Sequence, residues 1–425
     1  MLVNDNHAKA PAGFGYLVWN YPPEHPQFWE DRNITQLLEK EDLDCADEYQ
    51  LSVLVARQAV RDAITALQER GIENVRTGLP WAEWVAPGGR AFIAWSIRQY
   101  HAAGFKILPC LMFTPPHLGL VPVINSPPKD PMDFAVFVNE VCHELGDCFD
   151  FLELWNEWNL DTDWDPKLDP TLARFSEMIM LGTMVGKHHG KEIVLGGMSN
   201  IREPSLHLLR QLVAWGAMRF IDVGGLHNLR GTRSDFTPPP SLREQVKIVQ
   251  EIMQGQPDAF VSGMLMQRLA HRVKSAPDYL RDILEVGLSN IRKNFPEGPR
   301  RVWVTEYGFP TFDPMGQIPQ EHLERVQVAL MAHALEELES GEIERVYWYA
   351  LMNIRDDVPS VRSITTGEED PRQSKYGDTE YSGRLKLLGQ LMTEGGVQAV
   401  LSFAKRENLS ELVAAASVEG ARSQK

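Results

Sequence analysis

The sequence predicts a single (β/α)8 barrel. Three observations lead there. Eight short apolar runs recur along the chain, most of them too continuous to be strands with a solvated face. Amphipathic segments with apolar residues at three-to-four spacing lie between most of them. The three longest connections all follow the C-terminal end of a run, the face on which barrels build their sites.

The candidate strands are 13–20 (GFGYLVWN), 72–79 (IENVRTGL), 105–113 (FKILPCLMF), 151–156 (FLELWN), 192–198 (EIVLGGM), 220–227 (FIDVGGLH), 301–308 (RVWVTEYG) and 345–352 (RVYWYALM). The helical patterns cover 51–71, 91–104, 131–146, 171–190, 205–217 and 321–341, and the first four end at a glycine, a residue suited to the left-handed turn that closes a helix. The stretch 229–300 holds at least two more helical patterns and the turn-forming Pro238–Pro240. With 20–50 and 353–382 it is longer than a barrel requires, so these three segments are expected to wall or lid a cleft. No repeat or linker divides the chain. The expected layout is a tail at 1–12, a catalytic barrel at 13–396 and a helical tail at 397–425.

Composition narrows the function. Of 425 residues, 42 are Lys or Arg and 58 are Asp or Glu, a formal net charge of −16. A nucleic-acid surface needs the opposite sign, so no nucleic-acid partner is expected. No run of about 18 apolar residues and no apolar leader occurs, which points away from a membrane and to a cytoplasmic location. Cys45, Cys110, Cys142 and Cys148 form no CxxC pair. Cys142 and Cys148 are near enough in sequence to bridge, but free thiols in a reducing compartment are the simpler expectation. No HxH, HExxH or glycine-rich phosphate loop is present, so no metal or other cofactor is expected. His188 and His189 close a helix on the opposite face of the barrel and read as helix-end residues.

Two carboxylates stand where chemistry is expected. Glu157 follows the fourth candidate strand and Glu306 ends the seventh. Those strands face each other across a barrel mouth, so both side chains can converge on one ring. Cleavage of a glycosidic bond needs two such carboxyl groups, one protonated and one ionised. Glu153 shares strand parity with Glu157 and is expected below it, as the buried partner of a cation. Arg76 is either that cation or a neighbour that favours ionised Glu306. His227 is either a site residue or a satisfied core histidine. Trp81, Trp84, Trp158 and Trp164 follow strands and are candidate sugar platforms, whereas Trp19, Trp95, Trp215 and Trp303 read as core.

These residues resemble the clan-A retaining glycoside hydrolases, and in wording glycoside hydrolase family 39, the β-xylosidase and α-iduronidase group. The resemblance rests on WNEWN (155–159), FTPPHLG (113–119), LHN (226–228), Arg76, Glu306 and Trp348, each on the corresponding strand, and covers roughly 13–395. It implies a retaining O-glycosidase acting on a carbohydrate, with Glu306 as nucleophile and Glu157 as general acid/base. Asn156 would bind the sugar 2-hydroxyl. His117, His227, Asn228, Tyr307, Trp158 and Trp348 would complete the sugar site with Arg76. The sequence departs from the family at Trp158, where proline is usual, and at Leu229, where a tyrosine commonly supports the nucleophile. With only a helical tail expected at 397–425, the accessory β-sandwich of many members is not expected here. The missing proline and tyrosine leave one alternative, a barrel that binds carbohydrate without cleaving it, and the expected cytoplasmic location leaves another, a transglycosylase of polysaccharide assembly.

Overall fold

The computed structural model describes residues 9–20, 22–23, 47–199, 201–229, 241–293, 297–311, 318–351, 378 and 385–409. Eight strands close into a parallel barrel in sequence order. They are β1 (Phe14–Val18), β2 (Asn74–Pro80), β3 (Lys106–Met112), β4 (Phe151–Leu154), β5 (Glu192–Ser199), β6 (Val223–Leu229), β7 (Arg301–Gly308) and β8 (Val346–Trp348). All eight match predicted runs, mostly shortened at their ends. The sixth run is displaced, because Ala217–Phe220 forms a 3-10 turn and pairing starts at Val223.

The helices are α1 (Glu48–Glu69), the single turn α2 (Trp81–Trp84), α3 (Gly89–Ala102), α4 (Pro131–Leu145), α5 (Ala173–His188), α6 (Ser205–Trp215), α7 (Leu242–Met253), α8 (Ala259–Ser275), α9 (Asp278–Lys293), α10 (Gln320–Glu339) and α11 (Leu387–Arg406). Their starts are written in the sequence. Asp47, Asp130 and Asp258 accept from backbone N–H groups of the first turns of α1, α4 and α8, and Ser241 with Glu244 forms a capping box on α7. After α3 the chain reverses through Gly104 at φ 89°, a conformation side chains resist.

Two expectations about the periphery change. Most of the 229–300 excursion is not a lid. Its α7 packs on α6, β6 and β7 as a barrel helix, and α8 and α9 lie back over the outer faces of α5 and α6. Arg268 and Arg272 from α8 both hold the buried Glu177 of α5, which anchors the added pair to the ring. At the C-terminus, α11 spans the boundary expected near 396 and packs on α10 and α1, closing the helical ring with a kink at Gly395–Gly396. Pro238–Pro240, most of 20–50 and 353–382, Cys45 and the end of the tail lie outside the described residues.

The wall between sheet and helices holds most of the apolar core. The lumen is graded. Its floor is an apolar plug of Leu108, Val194, Val223, Trp303 and Tyr347, with the Phe151 ring tilted against Trp303 at 4.7 Å between centroids. Arg345 lies 4.1 Å above the Trp303 ring, a cation–π contact that seals the lower end. Cys110, Arg76 and Glu153 fill the layer above, fully buried.

Candidate active site

Two bulges decide which side chains face the mouth. In β7, Leu226 pairs with Val304 but His227 pairs with Glu306, so two residues of β7 stand opposite one of β6. On the other edge, Val304 and Tyr307 pair with Val346 and Trp348, three residues against two. Strict alternation from the lumen residue Trp303 would turn Thr305 inward and Glu306 into the wall. The extra residue reverses that parity and brings Glu306 into the lumen. In β5 the register also slips between Leu195 and Met198, at Gly196 and Gly197. Both glycines are required by close approach. A Cβ on Gly196 would lie 1.9 Å from the Trp155 carbonyl, and one on Gly197 would lie 1.9 Å from the His227 ring.

The loop after β4 places the other carboxylate. Trp155 and Glu157 adopt φ of 69° and 28°, a left-handed region that side chains rarely enter. The turn is tied down at several points. The Trp155 amide donates to Leu111, its indole N–H to the Asp163 carbonyl, and the Trp158 indole N–H to the Gly196 carbonyl. Asn159 exchanges hydrogen bonds with the Ser199 backbone.

What results is one connected polar cluster. Arg76 donates to Glu153 at 2.6 Å, to Glu306 at 2.7 Å and to the Asn156 amide oxygen at 2.8 Å. It is therefore both the structural cation and the neighbour of Glu306. Glu153, expected as a buried partner of a cation, is that partner, and it also accepts from the Gly197 amide. The His227 Nδ1 lies 3.0 Å from Glu157 and 3.5 Å from Glu306. One atom each of Glu157, His227 and Glu306 falls within 4.8 Å of the others.

The electrostatics follow from burial. Burial pushes Glu157 up to about 7, against pull from the Ser199 hydroxyl and Arg76. Arg76 was expected to hold Glu306 low. Instead burial raises this carboxyl too, with His227 and Arg76 opposing, because the cost of charge in the lumen outweighs them. Burial pushes His227 down to about 4, so it is neutral at pH 7. Its Nε2 abuts Gly197 and has no hydrogen-bond partner among the described residues. The partners therefore assign the single proton to Nδ1, where it faces the glutamates.

The trio has the atom types of a metal site, but fits one poorly. Arg76 already occupies Glu306, and the His227 Nε2 lacks the acceptor that orients a metal-bound imidazole.

Several expected sugar contacts lie elsewhere. Trp158 is buried against Phe175 with its indole N–H satisfied, and Trp81, Trp84 and Trp164 are equally buried beneath the loops. Trp158 and Trp164 pack around Phe175 and the strained turn, whereas Trp81 and Trp84 pack on Phe137 of α4, so none of the four is a platform. Trp348 and Tyr307 pack edge to face in the layer between sheet and helices, on the opposite strand parity from Tyr347 and Glu306. His117 is exposed on the β3–α4 loop, where its carbonyl accepts from Lys129. Asn228 is buried beside His227 on the other face of β6. Trp19, expected in the core, is partly buried at the mouth, against Leu17, Tyr349 and Ala350 on one side and Met112 and Phe113 on the other. Sequence reasoning also missed Asp163, buried behind Asn156 in the polar stretch Asp161–Asp165. No pattern in that stretch marks it. Cys110, Cys142 and Cys148 are unbridged, as expected. No helix among the described residues is long and apolar enough to cross a membrane.

No family model and no curated sequence matches the chain. Solved structures do. A family 1 β-glucosidase from Thermotoga maritima matches at 11% identity over 94% of this chain and 99% of that one, with a TM-score of 0.50. A GH39 β-xylosidase from Caulobacter crescentus matches at 15% identity over 95% and 73%, with a TM-score of 0.49. At such identities the likeness is one of fold alone: the chain is a (β/α)8 barrel, similar in fold to that β-glucosidase.

Proposed function

We propose that the chain is a retaining O-glycosidase, with Glu306 as nucleophile and Glu157 as general acid/base. The observation that carries this reading is the approach of their carboxyl oxygens to within 4.8 Å, on either side of His227. Double displacement uses carboxyl groups about 5–5.5 Å apart, whereas inversion needs about 6.5–9.5 Å to admit a water. A carboxyl pushed up to about 7 holds its proton long enough to give it to a leaving oxygen. The His227 Nδ1–H engages Oε1 of Glu157, which leaves Oε2 to carry that proton. Arg76 stabilises the Glu306 carboxylate as it forms and attacks. Once Glu306 is esterified its charge is gone, and Glu157 becomes the more acidic carboxyl that serves as base for water. Trp19 and Tyr349 supply the apolar faces at the mouth that Trp158 and Trp348 do not.

A panel of aryl glycosides tests the reading, repeated with Glu306→Ala in the presence of azide. Hydrolysis that falls by about 10⁴-fold or more and returns as glycosyl azide supports it. Unchanged hydrolysis in Glu306→Ala removes that residue from the role. Sugar binding with no turnover would point to the non-catalytic alternative, and products longer than the starting oligosaccharide to the transglycosylase.

A further inference from the structure

We infer that Asp163 is a positioning residue for both glutamates, acting through Asn156; this rests on the roles proposed above for Glu157 and Glu306. The Asn156 amide is held at both ends. Its oxygen accepts from Arg76 at 2.8 Å and its nitrogen donates to Asp163 at 2.9 Å. A flip would set the amide nitrogen against a guanidinium and the oxygen against a carboxylate, so the two partners fix one orientation. Arg76 continues the chain to Glu306, and Asn156 is covalently joined to Glu157. A line of bonds thus runs from Asp163 through Asn156 and Arg76 to one glutamate, with the other one residue away.

Asp163 is itself well fixed. Thr162 donates to its second oxygen at 2.8 Å, and its carbonyl accepts the Trp155 indole N–H at 3.1 Å. Its side chain and backbone therefore clamp the two residues before Glu157, within the turn that carries the left-handed conformations of Trp155 and Glu157. A strained turn persists only where its surroundings over-determine it, and Asp163 supplies two of those ties. It also faces Glu157 electrostatically. Burial and then the charge of Glu157 push Asp163 up to about 8, against the Asn156 and Thr162 hydrogen bonds and Arg76. Such coupling is mutual, so the pair titrates as a unit.

Two variants separate geometry from charge. Asp163→Asn keeps an oxygen for the Asn156 amide and removes the charge, and being nearly isosteric it keeps the fold. Asp163→Ala removes both. The Glu157 carboxyl is followed by carbon-13 NMR titration, assigned with Glu157→Gln, and turnover is measured on any glycoside the parent cleaves. The Glu157 midpoint is expected to stay near 7 in both variants, because Asp163 still holds its proton there, but the parent's second inflection near 8, where Asp163 ionises, is expected to vanish. The kcat is expected to stay within about threefold in Asp163→Asn and to drop about 10²-fold in Asp163→Ala, with KM little changed. A parent titration without that second inflection, or variants that keep it, overturns the inference, as does parent-like kcat in Asp163→Ala. Loss of that inflection in the variants of a protein that cleaves no glycoside sustains the Asp163 linkage and rejects the glycosidase reading instead.

Discussion

The two ends of the barrel lumen are built from the same strands and differ in almost everything else. The floor is an apolar plug around Trp303, Tyr347 and Leu108, closed by Arg345. The mouth holds Glu153, Glu157, Asp163 and Glu306 with Arg76 as their shared cation and a neutral histidine. At the floor, regular alternation packs large rings against each other and stabilises the fold. At the mouth, regularity fails: β5 and β7 bulge, and the turn after β4 enters left-handed backbone. The difference teaches that this barrel concentrates its strain and its buried charge at one end, while the other end provides the stability to tolerate them.

The comparison can be broken by mutation. The largest effect is expected from Trp303→Ala at the floor, a loss of about 3–5 kcal/mol in denaturant unfolding. If the ends are separate, and the proposed activity holds, the surviving folded protein keeps the parent's pH–activity profile. A displaced profile would show that the floor tunes the mouth. Gly197→Ala is expected to cost less stability, about 1–3 kcal/mol, because the methyl group must displace the His227 ring. Its activity should suffer disproportionately, since His227 leaves Glu157, and a crystal structure of the variant would show the moved imidazole.

The smallest effect is a pH signature of the mouth. Burial pushes Glu157 and Glu83 up to about 7, and it is the leading cause that takes Asp163 to about 8. The folded chain therefore holds protons that the unfolded chain releases above the ordinary carboxyl range. The stability these groups contribute is complete below about pH 4 and is lost as pH rises through 7–8. Glu83→Gln should match the parent at pH 4 and exceed it by about 1–3 kcal/mol near pH 8.5, measured by chemical denaturation. An equal gain at both pH values would mean that the effect is not electrostatic.

The floor was more legible in the sequence than the mouth, for a physical reason. Apolar runs and helix caps are local signals, so the eight strands and most helices could be read directly, and Trp303 as core. Glu157 and Glu306 could be placed because each lies at the tip of such a run. What escaped depends on register. Nothing in VWVTEYG announces that Thr305 is the extra residue, so Tyr307 and Trp348 were expected at the site although they face the helices. Trp158 and Trp164 follow a strand, as a platform would, but the strained turn folds them under itself. Asp163 reaches the site only through that turn, seven positions beyond the amide it holds.

The additional residue in β7 uncouples the position of the Glu306 carboxylate from the apolar rhythm of its own strand. Were Thr305 drawn into the regular pleat, the strand would keep its hydrophobic character and still close the cylinder, but its acid would face outward and a tyrosine would stand in the opening. A designer grafting this centre onto an idealised barrel would have to transplant the irregularity together with the side chains. In a related chain, the same residues paired without the bulge would lose the centre while the rest of the wall stayed the same.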